Sequence, residues 1–233
     1  MIKYMMIGVD LAKSVFQIHG ATMDGTVKFR KKLSRPQFLQ FMSKQAPSVV
    51  AMEACGSSSF WARELTRLGH DVKLISPRYV KPFVKRQKND AADAEAIVEA
   101  AQRPEMRFVD PKTEDQQARA MLYRIRERLV CQRTELVNAL RSYLYEFGHT
   151  FPQGIAHLKR IESLVDDPNS KLPELVCNEC RDLLIQVSEV SERIDIKTRR
   201  IQDLAAETDT CLLYTSPSPR DQRPNLVCRH MLE

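Results

Sequence analysis

The stretch YMMIGVDLAKSVFQIHGAT (residues 4–22) opens with an apolar run, Tyr4–Val9, that stops at an aspartate, Asp10. A run this short suits a buried strand. An aspartate at its end is costly unless the charge is used or solvated. After a brief polar turn, Val15–Thr22 reads as a second strand. Asp24-Gly25 is a hairpin signal into a third, Thr26–Lys32. Three strands on short links predict an antiparallel meander with Asp10 at one end of its first strand.

The pattern then alternates. Arg35–Gln45 reads as a helix with Phe38, Leu39 and Met42 inward, Ser34 as N-cap and Pro36 in its first turn. Val49–Met52 is a short buried strand that ends at a second acid, Glu53. Ser57 to Leu68 is helical, with Ser57 as its cap, Phe60 and Trp61 in the core and Gly69 as C-cap. Asp71–Ser76 is a strand closed by Pro77. Asp90–Gln102 is a helix that Pro104 ends. Its first turn carries Asp90 and Asp93, which share one face, because i and i+3 side chains are neighbours.

From Glu114 the texture changes. Met121, Ile125, Leu129, Leu136, Leu140, Tyr143 and Phe147 fall at helical spacings. Leu183, Val187, Val190, Ile194, Ile201 and Leu204 follow the steps of an a/d seam. Two long amphipathic helices predict an antiparallel helical hairpin, or an ordinary helix pair packed on the first domain. The expected domains are residues 1–110, α/β, and 111–210, helical.

Composition narrows the class without deciding it. The 233 residues hold a formal charge of +6, with pI about 9.0. That is a mild basic excess, compatible with a nucleic-acid partner. The opening residues lack a signal-peptide pattern, and no apolar run approaches the ~20 residues of a membrane span. The expectation is a cytoplasmic protein with six reduced cysteines. Cys177 and Cys180 form a lone CxxC without a second ligand pair, which reads as two helix cysteines rather than zinc ligands. His19, alone on a strand, reads as structural. The glycines are too scattered for the phosphate loop that a sugar kinase needs.

Each acid has an ordinary reading: Asp10 as a turn cap, Asp90 as an N-cap, Asp93 as a first-turn acid favoured by the helix dipole by about 0.3–1 kcal/mol. Their order is the informative part. If the strands ending at Asp10 and Glu53 are neighbours, both carboxylates emerge at one sheet edge, and the DxxD helix adds two more. Four clustered carboxylates would force some to hold protons. Mg²⁺ or Mn²⁺, which take hard oxygen ligands, relieves this, and paired ions suit phosphodiester chemistry. Lys81, Lys85, Arg86 and Lys88 precede the DxxD pair, and Arg124 and Arg128 lie in a basic stretch further on. They are candidate phosphate contacts, with a solvated helix face as the alternative.

The segments IGVDLAKSVFQIHG, AMEACGSSSFWARELTRLGHDVKLISPRYVKPFVK and KNDAADAEAIVEAAQRPEMRFV closely resemble the DEDD-type transposases of bacterial insertion sequences, in the second subgroup of the insertion-sequence-110 family. The resemblance covers about residues 4–210. It implies an α/β RNase H-like (RuvC-like) domain followed by an α-helical antiparallel coiled-coil hairpin used in homo-oligomer assembly. It implies Asp10, Glu53, Asp90 and Asp93 as catalytic metal ligands. It also implies DNA recombination guided by a structured RNA encoded by the element. The alternatives are a complete RuvC-like structure-selective nuclease and a non-catalytic nucleic-acid-binding assembly protein.

One departure stands out. In the family a C-terminal domain with a serine nucleophile follows the second long helix. Here residues 211–221, CLLYTSPSPRD, resemble the translation of a transposon-based sequencing adapter. NLVCR, residues 225–229, resembles the next constant adapter segment in the same frame. Residues 211–233 are therefore expected to be a non-native tail, and Ser216 and Ser218 receive no catalytic role. The expectation is an N-terminal fragment that is inactive alone.

Overall fold

The structure, a computed structural model, describes residues 5–22, 24–84 and 90–206, with side chains 90–92 left out. The tail at 211–233 and the basic residues Lys85, Arg86 and Lys88 lie outside the described residues. The chain forms two compact units that divide between Asp115 and Gln116.

The first unit is a mixed α/β layer structure. Its strands are β1 (Met5–Leu11), β2 (Val15–Thr22), β3 (Val27–Ser34), β4 (Val49–Glu53), β5 (Asp71–Ile75) and β6 (Phe108–Val109). Among the described residues they form one sheet, ordered β3-β2-β1-β4-β5-β6. The predicted meander is present: β1 pairs antiparallel with β2, and β2 with β3. β1, β4 and β5 run parallel to one another, and β6 closes the edge antiparallel to β5. β1 runs past the apolar stretch: Asp10 and Leu11 still pair, with Gln17 and Phe16. The hairpin ladder keeps Asp10 inside the strand, where the sequence pattern set it at the end.

Strand parity sorts the core into two faces. Ile7, Val9, Phe16, Ile18, Val50 and Met52 pack with Phe38 and Met42 of α1 (Arg35–Met42) and with Trp61, Ala62 and Leu65 of α2 (Ser58–Arg67). Phe16, Phe38 and Trp61 meet edge to face at 5.0–5.3 Å. The opposite face buries Met6, Ala21, Ala51 and Ile75. It packs against Val80 of α3 (Pro77–Val80) and against Ala96, Ile97, Val98, Ala100 and Ala101 of α4 (Asp90–Ala101).

Two local expectations change. Leu39 and Phe60, expected inward, are 36% and 44% exposed; Phe60 lies edge-on to Trp61 at 5.2 Å. Ser57 holds the N-cap position of α2, but its side chain makes no capping bond. Ser58 secures that turn instead: its hydroxyl donates to the Cys55 carbonyl (2.9 Å) and accepts from the Cys55 N–H (3.2 Å).

The second unit holds two 33-residue helices, α5 (Glu114–Glu146) and α7 (Glu174–Ala206), with the short α6 (Leu158–Val165) between them in sequence. α5 and α7 run antiparallel. Arg126 Nε donates to Thr198 Oγ1 (2.9 Å), Leu129 packs with Val190 and Ile194, and Val137, Leu140 and Leu144 pack with Cys177, Cys180 and Val187. Of the α7 seam, Val187, Val190, Ile194 and Ile201 are buried, and Leu183 and Leu204 are half-buried. The α5 stripe departs from its sequence reading. Met121, Ile125, Tyr143 and Phe147 are 57%, 39%, 51% and 44% exposed. α5 carries two apolar stripes one residue, or about 100°, apart. α6 and α7 cover the one through Leu129, Val137, Leu140 and Leu144. Cys177 and Cys180 are core residues, and burial, helped by Cys177 and Glu179, pushes the Cys180 thiol up.

Candidate functional site

The face under α4 carries the acids. In β1, Met6, Gly8 and Asp10 alternate onto that face, while Ile7 and Val9 point to the aromatic core. In β4, Ala51 and Glu53 do the same, with Val50 and Met52 opposite. The parallel register pairs Gly8 with Ala51 and Val9 with Met52, so Asp10 and Glu53 follow side by side at the ends of adjacent strands. Adjacent strands lie about 4.8 Å apart.

Gly8 decides how close α4 comes. A Cβ built at Gly8 would lie 2.3 Å from the Ala94 carbonyl and 2.6 Å from Val98 Cγ2. The helix backbone thus rests on the strand where only glycine fits. This anchors Ala94 over Gly8 and brings Asp93, the preceding residue, to the edge where Asp10 and Glu53 emerge. Asp90 is the first residue of α4; its side chain lies outside the described residues.

The electrostatics agree with this placement. Burial is the first cause that raises the Glu53 carboxyl above the usual glutamate range; the charges of Asp10 and Asp93 add to it. Glu53 therefore feels a carboxylate from β1 and another from α4. Among the described residues, no group of three or more His, Cys, Asp or Glu side chains stands close enough to hold a metal ion, and Asp90 is outside that set. The donor chemistry, carboxylate oxygens around a half-buried glutamate, fits a hard divalent cation rather than a soft one.

The cationic candidates separate. Lys81 is exposed in the 3₁₀ turn Lys81–Phe83, which follows α3. Arg124 and Arg128 are exposed on α5 in the second unit, where Arg124 Nε donates to the Ala120 carbonyl at 3.2 Å. His19 is buried and accepts a 3.4 Å hydrogen bond at Nδ1 from Arg30 Nε. Sequence reasoning missed Gly8 as the contact that positions α4. Its signal was a glycine two residues before the aspartate, hence on the same strand face.

The family model of the IS110-type DEDD transposases, described as a transposase, matches residues 7–149. A putative transposase of Sinorhizobium fredii is 43% identical over 231 residues, covering 92% of this chain and 59% of the relative. The transposase for insertion sequence element IS1328 of Yersinia enterocolitica is 42% identical over 205 residues, 88% of this chain and 61% of the relative. A probable family 20 transposase of Pseudomonas aeruginosa is 45% identical over 198 residues, 84% of this chain and 59% of the relative. The chain thus spans about three fifths of the length of these relatives. A solved structure of T. thermophilus RuvC in complex with a Holliday junction substrate aligns with 46% of this chain and 99% of its own, at 12% identity and a TM-score of 0.36. The family match and relatives more than two-fifths identical show that this chain belongs to the IS110-type DEDD transposases.

Proposed function

We propose that residues 5–115 are the RNase H-like, RuvC-like nuclease unit of a DNA transposase, with Asp10, Glu53, Asp90 and Asp93 as its catalytic carboxylates. The observation that carries this reading is the emergence of Asp10 and Glu53 side by side from parallel strands, on the face where the N-terminus of α4 delivers Asp93. The strand order β3-β2-β1-β4-β5, with β2 alone reversed, supports the fold assignment.

The four acids would hold Mg²⁺ or Mn²⁺. Such ions, when bound, activate an attacking oxygen and stabilise the leaving oxygen of a phosphodiester. The chain's own contribution is positional. Gly8 seats α4, and the β1–β4 register fixes the spacing of Asp10 and Glu53. The half-buried Glu53 holds a proton more readily than an exposed glutamate until an opposite charge arrives.

The helical unit serves homo-oligomer assembly in this reading, as an antiparallel coiled coil whose exposed α5 stripe meets another copy. A structured RNA encoded by the element guides the choice of DNA, Lys81, Lys85, Arg86, Lys88, Arg124 and Arg128 contact nucleic-acid backbone, and the protein works in the cytoplasm. Among the described residues no helix is long and apolar enough to cross a membrane. Recombination needs the portion of the relatives' length that this chain does not span.

A cleavage assay on four-way DNA with Mg²⁺ or Mn²⁺ tests the reading. This chain alone is expected not to cut. A full-length relative is expected to act, and to lose at least a hundredfold in rate when the residue aligned with Asp10 becomes asparagine, in the range of single catalytic-group losses. Robust cutting by this chain alone would favour a self-sufficient nuclease. An unimpaired asparagine variant would remove the carboxylate mechanism.

A further inference from the structure

We infer that Lys32, at the outer end of the carboxylate row, binds the phosphate backbone of the DNA and positions it against Asp10 and Glu53; this rests on the nuclease reading above. The ladder makes the row explicit. Asp10 pairs with Gln17 across β1 and β2, and Gln17 pairs with Lys32 across β2 and β3. With Glu53 beside Asp10, one level of the sheet reads Glu53, Asp10, Gln17, Lys32 over four adjacent strands.

The face is fixed independently. Arg30, two residues before Lys32, reaches Glu95 of α4 with Nη2 to Oε2 at 2.9 Å. Lys31 lies over the Phe41 ring at 5.4 Å, and Phe29 packs edge to face on Phe41 at 5.3 Å, both on the opposite side. Lys32 therefore shares the α4 side with the acids. It is exposed, Gln17 is half-buried between it and Asp10, and Arg30 is engaged by Glu95.

The spacing suits a nucleic-acid strand. Two strand-to-strand steps set Lys32 about 10 Å from Asp10 at the backbone. That is about three nucleotides of rise along one DNA strand. An ammonium there meets a phosphate about three nucleotides along the strand from the reacting one, without entering the carboxylate cluster, where it would compete for the same charge. The half-buried Gln17 amide offers a neutral donor in the interval, where a second cation would neutralise Asp10. β3 is also an edge strand, and lysines on edges guard against pairing with other chains. That role asks only for charge on the strand, with no dependence on DNA.

The test measures binding of a fluorescein-labelled four-way DNA junction by this chain across a salt series, at fixed Mg²⁺. Lys32→Gln is expected to make the plot of log affinity against log salt shallower by about 0.9, the loss of one phosphate contact. Lys32→Arg is expected to restore the slope. Lys44→Gln, an exposed lysine just past the C-terminal end of α1, is expected to leave it unchanged. Thermal melting of each variant without DNA controls for folding. A wild-type slope for Lys32→Gln would overturn the inference while leaving the nuclease reading intact. Increased self-association at an unchanged slope would replace it with the edge-guard role. Absence of DNA binding by the wild-type chain would overturn both.

Discussion

The two faces of the sheet are packed in opposite styles. Under α1 and α2 the contacts are large: Phe16, Phe38, Met42, Met52, Trp61 and Leu65, with three rings edge to face. Under α4 many are small: Gly8, Ala21, Ala51, Ala94, Ala96, Ala100 and Ala101. Large rings bury much apolar area and hold the helices at a distance set by their bulk. Small residues bury less but let a helix backbone touch a strand. The first face contributes chiefly stability, and the second trades some of that for proximity, which the carboxylates need.

The largest expected effect lies on the aromatic face. Trp61→Ala should cost about 3–5 kcal/mol of unfolding free energy, read from urea denaturation by circular dichroism, with cation binding retained wherever the chain is still folded. Coupled loss of both in folded protein would erase the distinction between the faces.

On the other face, Gly8→Ala should cost about 1–3 kcal/mol by overpacking, because the new Cβ meets a backbone carbonyl rather than a side chain that can turn away. Its diagnostic effect is on the site. Pushed off β1, α4 carries Asp93 away, so Mn²⁺ affinity should fall more than the stability loss alone accounts for. Calorimetric titration of folded Gly8→Ala checks this, and an unchanged affinity would mean that α4 does not set the site.

A smaller effect separates the faces by pH. Burial, then Asp10 and Asp93, raises the Glu53 carboxyl. In a window above the usual glutamate range the native chain therefore holds a proton that the unfolded chain has released. With more protons bound in the native state, stability falls as pH rises through that window. In metal-free buffer, Glu53→Gln should flatten this fall and leave the unit slightly more stable at neutral pH. Trp61, the single tryptophan, lies in the same unit and supplies the fluorescence probe.

Much of the α/β unit was legible because local signals agreed. The meander, both acid-bearing strands and the DxxD helix follow from apolar runs, the Asp24-Gly25 turn and helix-entry residues. The extension of β1 through Leu11 was not, since it depends on pairing with Phe16 and Gln17. Two-residue β6 has no pattern long enough to read; its pairing with β5 defines it. The inward face of α5 was ambiguous in principle, because Leu136 and Val137, or Tyr143 and Leu144, offer apolar stripes one residue apart. Only the partner helices choose between them. In the site, residue types and order pointed to the four acids, whereas the role of Gly8 and the row through Gln17 to Lys32 required the register.

In the proposed reading, acids from β1, β4 and α4 act as one cation site. Isothermal titration of Mn²⁺ into wild-type chain, Asp10→Asn and Asp93→Asn tests it most directly. A single shared site predicts that either substitution weakens the same binding event at least tenfold, with a double variant losing little more than the worse single one. Independent, additive losses, or binding that neither substitution alters, would contradict it.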